Sequence, residues 1–163
     1  MSERLVRGAI INELAVAARY ANELAAAELR AAGVDLDEYG FLSFVGVLEP
    51  VTRTVLTKAT GRRRTTVRDV VKRLLEQDHV RELPNPQDRR STLLELTPRG
   101  RAIFDRGLPA IQRALAAIDV ALGGKLDENE EIVWRVRTAL QELVVERERL
   151  GVLPTAFESR AAP

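Results

Sequence analysis

Three features of this 163-residue sequence could take part in chemistry. Thr60–Thr66, with the sequence TGRRRTT, places three consecutive arginines after a glycine, and a second basic pair, Arg89 and Arg90, follows Asp88. Guanidinium groups bind carboxylates and phosphates through paired hydrogen bonds, so both runs indicate the binding of an anion. The third feature is His79, the single histidine, which could act as a base or a metal ligand.

Catalytic and metal-binding side chains are otherwise scarce. There is no cysteine, which excludes disulfides, thiolate zinc sites and catalytic thiols. With His79 alone, no nucleophile and base pair can be assembled, and a transition-metal site would need scattered carboxylates. The Thr60–Thr66 run lacks the second glycine and the lysine of a phosphate-binding loop. We therefore expect no enzyme activity, no metal site and no cofactor, and we expect His79 to cap a helix end.

The distribution of apolar residues bears on the location of the protein. The N-terminal segment has polar residues every few positions and no small-residue cleavage site after an apolar run. No run of roughly 18 or more apolar residues, the length of a membrane span, occurs in the sequence. We therefore expect one folded unit that is soluble and cytoplasmic and has no membrane partner.

The net charge of +1 is divided unevenly along the chain. Between Arg53 and Arg101 there are 13 basic and 6 acidic residues, a balance of +7, which leaves 12 basic and 18 acidic residues, a balance of −6, for the flanks. A cationic middle between acidic arms is typical of a nucleic-acid reader with a separate assembly region. A surface that is merely rich in ion pairs is the alternative.

Helical spacing of apolar residues predicts two helices before the cationic segment. The first is alanine-rich, covers residues 4–32 and ends at Gly33, which suits a helix C-cap. The second is short and apolar, covers residues 38–47 and is capped by Asp35 or Asp37. Because it has almost no polar face, the second helix should lie in the core.

The cationic segment opens with two predicted helices, Val51–Thr60 and Arg62–Gln77, separated by Gly61. In the second of these helices the apolar residues share one face and the basic residues share the other. A short helix, a glycine turn and a helix with a cationic outer face make a helix-turn-helix pattern. The apolar face consists of Val67, Val70, Val71, Leu74 and Leu75, and the outer face of Arg64, Thr65, Arg68, Lys72 and Arg73.

A β-hairpin is predicted next. Val80–Leu83 and Thr92–Leu96 are enriched in residues that favour strands, and residues 84–88 between them are turn formers. Thr97 followed by Pro98 is a helix N-cap with proline at the first helical position. A helix should therefore begin directly after the second strand.

Two long helices complete the order. The first should run from Pro98 to about Leu122, with an interruption near Gly107 and Pro109, and should end at the Gly123–Gly124 pair. The last should begin with a capping box of Asp127 and Glu130, run to about Leu150 and leave residues 151–163 as a tail. Its apolar stripe consists of Val133, Val136, Leu140 and Leu143, and Trp134 is expected to serve in packing.

Two motifs connect this order to a known family. Asp88–Arg90 is followed, after five residues, by Leu96–Gly100 (LTPRG), and Leu74–Val80 (LLEQDHV) precedes both. The first pair of segments looks like an acidic residue and arginine at a wing tip followed by Leu-Thr-x-x-Gly. Leu74–Val80 is placed like the end of a recognition helix and the start of a wing strand. In residues 36–104 the sequence thus resembles the winged-helix regulators of the multiple antibiotic resistance regulator (MarR) family.

The resemblance implies a mainly α fold with a small β-hairpin wing, a winged helix-turn-helix with long N- and C-terminal dimerisation helices. It also implies a transcription regulator, usually a repressor, that binds double-stranded DNA at a pseudo-palindromic operator as a homodimer. Alternatively, the long helices pack back on their own domain, or the winged helix assembles with protein or RNA without operator specificity. The implied regions are 1–34 (dimerisation helix), 35–104 (DNA-binding domain), 105–150 (dimerisation helices) and 151–163 (tail).

In such proteins the second helix of the helix-turn-helix enters the major groove. Arginine can bond both acceptors of guanine and threonine can touch the thymine methyl, whereas other basic residues contact phosphates without reading sequence. An ordinary polar helix face is the alternative, although the helix dipole disfavours arginines at an N-terminus unless an anion is present. The base-reading candidates are Arg64, Thr65, Thr66 and Arg68, and the phosphate candidates are Arg62, Arg63, Lys72 and Arg73.

The wing and an effector complete the implied site. A hairpin tip with Arg89 and Arg90 can approach the minor groove, and Asp88 would hold the Arg90 guanidinium in position; a solvated turn is the alternative. The family often senses small aromatic or phenolic anions between the dimerisation helices and the winged domain. Here the pocket candidates are Arg19, Tyr20, Tyr39, Phe41 and Phe44, although aromatic residues at helical spacing more often form the core.

Overall fold

The computed structural model describes the backbone of residues 10–149 and the side chains of residues 12–146. The predicted start of the first helix at residues 4–9, Leu150 and the tail 151–163 lie outside these ranges. The chain divides into two compact units, Met1–Ala117 and Ile118–Pro163, which are described separately. The elements are α1 (Ile10–Ala31), α2 (Leu36–Leu48), β1 (Val51–Thr52), α3 (Arg53–Thr60), α4 (Arg64–Glu76), β2 (Val80–Pro84), β3 (Thr92–Leu96), α5 (Pro98–Ala121) and α6 (Leu126–Arg149).

The predicted fold class, mainly helical with a small β-hairpin wing, is confirmed by this element order. The sheet has three antiparallel strands in the order β1-β3-β2. In the hairpin, Val80 lies opposite Leu96 and Pro84 lies opposite Thr92. None of the helices in the described part of the chain combines the length and the apolar character that crossing a membrane requires.

The prediction that Val51–Thr60 is helical throughout was wrong for its first two residues. Val51 and Thr52 form β1 and pair with Leu94 and Leu93 of β3. Both are β-branched and follow a proline, so extended backbone is favoured locally, and β3 offers a free edge for pairing. The Thr52 hydroxyl then accepts from Val55 N at 3.2 Å and caps α3.

The core of the first unit is aliphatic and collects residues from every element around the sheet. Leu42, Leu56, Leu74 and Leu94 come from α2, α3, α4 and β3, and each is fully buried. α2 lies in this core as predicted, and its N-cap is Asp35, whose Oδ1 accepts from the amides of residues 37 and 38. Helix packing around one small sheet therefore holds α3 and α4 in place.

α5 is continuous through Pro109, so the predicted interruption was wrong. Gly107 has a different role in the fold: a Cβ atom there would overlap the ring of Tyr39 on α2. The Tyr39 ring also stacks on Phe104, with ring centroids 6.1 Å apart and planes 10° apart. Because the glycine admits the aromatic ring, α2 and α5 approach closely at this point.

In the second unit, the turn after α5 ends on Gly123 and Gly124, which have φ of +69° and +75°, as predicted. The predicted capping box of Asp127 and Glu130 was wrong, since α6 begins at Leu126 and Asp127 lies inside its first turn. The carboxylate of Asp119 performs the capping instead and accepts from Leu126 N at 2.9 Å. A carboxylate from the preceding helix therefore starts α6.

Candidate nucleic-acid interface

The turn between α3 and α4 leaves the N-terminus of α4 open. Gly61 adopts the left-handed conformation, with φ of +64° and ψ of +12°, and ends α3. Arg63 occupies the N-cap position of α4 but provides no side-chain cap, and the first turn contains no acidic residue. The first amides of α4 therefore have no capping side chain, while Arg62 and Arg64 flank them. A free helix N-terminus surrounded by guanidinium groups favours an anion.

α4 divides into the two faces that its sequence predicts. Val67, Val71 and Leu74 are buried, and Val70 and Leu75 are partly buried against the core. Thr66 is half-buried at the boundary, whereas the other base-reading and phosphate candidates are exposed. The helix begins at Arg64, so Arg62 and Arg63 precede it rather than forming its first turn. The exposed candidates are Arg62, Arg63, Arg64, Thr65, Arg68, Lys72 and Arg73.

Few of these basic side chains are neutralised by acidic neighbours. Arg68 Nε lies 3.2 Å from Asp69 Oδ1 and Lys72 Nζ lies 3.7 Å from Glu76 Oε1, and both pairs are well exposed. Exposed pairs of this kind are weak and exchange readily with other anions. Among the described residues no carboxylate lies within ion-pair distance of the remaining four, which are Arg62, Arg63, Arg64 and Arg73.

The wing tip is a compact turn with both arginines exposed. Asp88 Oδ1 accepts from the main-chain N–H of Arg90 at 3.0 Å, and the main-chain oxygen of Asp88 accepts from Ser91 N, also at 3.0 Å. The prediction that Asp88 holds the Arg90 guanidinium was therefore wrong for the described contacts. Its carboxylate fixes the main chain of the turn, because a short acidic side chain reaches the amide two residues on.

A contact that sequence reasoning missed lies at the base of the wing. Arg53 Nη1 donates to Thr92 Oγ1 at 2.9 Å, and Nη2 lies 2.5 Å from Oε1 of Glu82. The Thr92 hydroxyl in turn donates to the same Oε1 at 2.8 Å. These bonds lower the pKa of Glu82, first through Thr92 and then through Arg53, against the opposing effect of burial. The one available signal was that Arg53 directly follows two strand-forming residues.

The five predicted effector-pocket residues are not brought together in a cavity. Tyr39 and Phe41 are buried and Phe44 is half-buried against the core. Arg19 and Tyr20 are exposed on α1, where the guanidinium carbon lies 4.2 Å from the centre of the ring. Hydrogen bonds that the guanidinium donates to Tyr20 and to Glu23, the former having the larger effect, raise the pKa of Arg19. The three α2 aromatics thus serve in the core, and the α1 pair faces solvent.

A cavity of about 420 Å³ lies elsewhere, around His79. The imidazole is buried, and its Nδ1 lies 3.0 Å from Glu38 Oε1 without making a hydrogen bond to it. The helix end is closed by the main chain of His79, whose N–H donates to Leu74 O at 2.8 Å, so the expected side-chain cap was wrong. Arg99 and Arg106 of α5 also line this cavity.

Among the side chains of residues 12–146, no group of three or more histidine, aspartate or glutamate residues converges as a metal site would require. The exposed guanidinium groups and the uncapped amides at the start of α4 are suited to binding an anion.

These elements define the chain as a winged helix-turn-helix protein. Residues 32–91 match the model of the MarR family. The HTH-type transcriptional repressor NicR of Pseudomonas putida is 36% identical over 64 residues, which make up 39% of this chain and 40% of NicR. The chain thus matches less than half of the length of that relative.

Several solved structures have a similar fold over most of the length of this chain. The match with the transcriptional regulator SlyA covers 82% of this chain and 94% of the SlyA chain, with a TM-score of 0.66 and 19% identity. The match with a Listeria monocytogenes regulator complexed with 26mer DNA covers 85% of this chain and 94% of that regulator, with a TM-score of 0.69 and 17% identity. The match with the M. tuberculosis regulator MOSR in complex with DNA covers 80% of this chain and 95% of MOSR, with a TM-score of 0.64 and 22% identity. The resemblance predicted from the motifs is confirmed for residues 32–91, which match the MarR family model, and the solved structures share the fold over most of the chain.

Proposed function

We propose that this protein is a sequence-specific transcription regulator that binds double-stranded DNA. The observation that carries the proposal is the open, arginine-flanked N-terminus of α4, because only an anion removes the cost of placing those charges there. The matching portion of NicR belongs to a repressor, which favours repression as the outcome of binding. Two relatives of the same fold are described as complexes with DNA, which supports the choice of partner.

α4 is proposed as the recognition helix. Its first two turns would enter the major groove, where a guanidinium can bond O6 and N7 of guanine and a threonine methyl can meet thymine. Arg64, Thr65, Thr66 and Arg68 are the proposed base readers. Arg62, Arg63, Lys72 and Arg73 would bind phosphates, and they account for affinity and salt dependence rather than for sequence preference.

The wing is proposed as the second DNA contact. Arg89 and Arg90 stand exposed at a tip narrow enough for the minor groove, where the electrostatic potential is most negative in A·T-rich DNA. Asp88 acts as a positioning residue, since its carboxylate holds the turn through the Arg90 amide. The major-groove contact of α4 and the minor-groove contact of the wing in one copy of the chain would together recognise one half-site of the operator.

We propose a homodimer as the active form. α6 exposes a series of large apolar side chains, and such an apolar series is unfavourable in water without a partner. A second copy is the partner that the symmetry of paired half-sites requires, and two copies bind a pseudo-palindrome. The exposed residues are Ile132, Val133, Trp134, Leu140, Leu143, Val144 and Val145.

A small aromatic or phenolic effector is proposed to release the DNA. It would act only if it favoured a dimer geometry in which the two α4 helices no longer match successive major grooves. Arg19 and Tyr20 are exposed on α1 and available to such a ligand. The α2 aromatics Tyr39, Phe41 and Phe44 would take part only if the core beneath α1 opened.

Binding to two duplexes in a salt series tests the proposed function. One duplex contains the intergenic DNA beside the gene of this protein, and the other contains a shuffled sequence of equal length and composition. We expect a preference of roughly a thousandfold or more for the intergenic duplex and a steep fall of affinity with salt. Equal and weak binding to both would contradict operator recognition and favour a winged helix that assembles with protein or RNA.

A further inference from the structure

A side chain of the helix-turn-helix, Arg53, contacts both strands of the wing at its base. β1 and β3 are antiparallel, and continuing their register by one residue brings Arg53 opposite Thr92. Arg53 is the first residue of α3, Thr92 is the first residue of β3, and Glu82 lies on β2. The guanidinium thus contacts both strands of the hairpin from a helix that packs on α4.

The ladder of the hairpin ends at the level of this contact. Thr92 lies opposite Pro84 in the last pair of the ladder before the wing tip. Beyond that rung, the described side-chain bonds run within the loop, as from Asn85 Nδ2 to Ser91 Oγ at 2.8 Å. The direction in which the loop leaves the sheet is therefore weakly fixed by the hairpin itself.

We propose that Arg53 and Glu82 are positioning residues for DNA binding, which set the angle between the wing and α4. Their contact holds Arg89 and Arg90 where the tip can enter the minor groove while α4 occupies the major groove. This inference rests on the proposed DNA-binding function and adds to it two residues outside the motifs of the family resemblance. Neither Arg53 nor Glu82 needs to touch DNA for this role.

Charge alone makes the opposite prediction for Glu82, which allows a sharp test. Glu82 is one of only 6 acidic residues between Arg53 and Arg101, so its removal makes the DNA-binding domain more cationic. If the DNA-binding domain acted only through its positive charge, Glu82→Ala would tighten binding to any duplex. If the Arg53–Glu82 contact positions the wing, Glu82→Ala weakens binding to the specific duplex although the protein gains positive charge.

Glu28→Ala is the matched control. Glu28 also lies near an arginine, with Oε2 2.8 Å from Arg113 Nε, and its side chain is 32% exposed, compared with 36% for Glu82. Both substitutions remove one acidic charge and one arginine contact, but Glu28 lies on α1 and away from the wing. We expect affinity for the intergenic duplex to fall about three- to tenfold in Glu82→Ala and to change less than twofold in Glu28→Ala.

A double-mutant cycle separates positioning from direct contact. Arg53→Gln should weaken binding about three- to tenfold in the wild-type background but less than twofold in the Arg90→Ala background, because without Arg90 the wing angle loses its effect. Fully additive losses would mean that Arg53 binds DNA independently and would overturn the inference. So would a Glu82→Ala variant that binds as tightly as the wild type or more tightly.

A measurement without DNA distinguishes this inference from the proposed function. Backbone ¹⁵N relaxation of Arg89 and Arg90 should show lower order parameters in Glu82→Ala than in the wild type and the Glu28→Ala control. Unchanged order parameters together with unchanged binding would overturn the positioning role. If the wild type does not discriminate between the duplexes, the proposed function fails and the DNA-binding role of the contact fails with it, whereas the relaxation data still decide whether the contact orders the wing.

Discussion

Gly100 lies directly against the main-chain carbonyl of His79, so closely that a Cβ atom at residue 100 would overlap the oxygen. The same carbonyl accepts from Thr97 N at 3.1 Å, and the Thr97 hydroxyl donates to Asp78 O at 2.6 Å while it caps Gly100 N at 3.1 Å. The Leu-Thr-x-x-Gly motif thus has a structural reason. It fastens the start of α5 to the turn between α4 and the wing, where close approach requires a glycine.

Gly100→Ala should therefore destabilise the fold. The added methyl group meets main-chain atoms that cannot turn aside, and overpacking of this kind costs about 1–3 kcal/mol. Chemical denaturation followed by circular dichroism would measure the loss in the free energy of unfolding. Gly40→Ala on α2 is the matched control, since a Cβ there meets no atom within 4 Å and alanine favours a helix. Equal stability of the two variants would contradict the close contact.

Arg68→Ala and Lys72→Ala should weaken DNA binding in different ways. Arg68 is proposed to read a base, so its loss should cost about 1–3 kcal/mol for the specific duplex and relax the preference at one position. Lys72 is proposed to bind a phosphate, so its loss should weaken binding to all duplexes alike and reduce the salt slope by about one unit. Titrations of intergenic and shuffled duplexes at several salt concentrations would separate these outcomes, and identical profiles for both variants would argue against the assignment.

Arg90→Ala should weaken specific binding by tenfold or more, roughly 1.4 kcal/mol, through loss of the minor-groove contact. The fold should keep its stability, because the Arg90 side chain is exposed and the turn is held through its main chain. Arg30→Ala, which removes an exposed arginine at the end of α1, is the control for charge. If both variants lose the same affinity, the wing has no specific part in binding.

Leu140→Lys should disrupt the proposed homodimer. Leu140 is 46% exposed on α6, and a charge placed in an apolar interface would be buried without a partner. Sedimentation analysis at micromolar concentration should give a dimer for the wild type and a monomer for the variant. Glu142→Lys, on the exposed polar surface of the same helix, should leave the dimer intact. A monomeric wild type would remove the dimer from the mechanism.

The stabilising effect of Glu82 should depend on pH in acid. The pKa of Glu82 is lowered from its ordinary value of 4.5, chiefly by the Thr92 hydroxyl and then by Arg53. The folded state therefore binds this proton more weakly than the unfolded state, so the contribution is present above pH 4.5 and disappears as the pH falls through the lowered pKa. The difference in the free energy of unfolding between wild type and Glu82→Gln should shrink below pH 4.5. A difference that stays constant down to pH 3, roughly 1.5 units below the ordinary pKa, would contradict this contact.

Much of the fold follows from signals that are local in the sequence. The N-caps at Asp35 and Thr97, the glycine pair that ends α5 and the two-faced pattern of α4 depend on residues within one or two helical turns of each other. Backbone preference and the burial of one helical face are enough to determine such elements. The same local pattern, three arginines beside a glycine, singled out the end of α4 that is proposed to bind an anion.

The remaining features depend on partners that are distant in the sequence. Arg53 meets Thr92 across 39 residues, and β1 exists because Val51 and Thr52 find the free edge of β3. Gly107 does not interrupt α5 as predicted. The absence of a side chain at this position instead leaves space for the ring of Tyr39, a residue on α2. Such contacts are set by packing in three dimensions, which no periodicity expresses. The sequence by itself therefore determined the helices, the wing and the basic surface, whereas the tertiary structure alone decided how the wing is fastened to the helix-turn-helix.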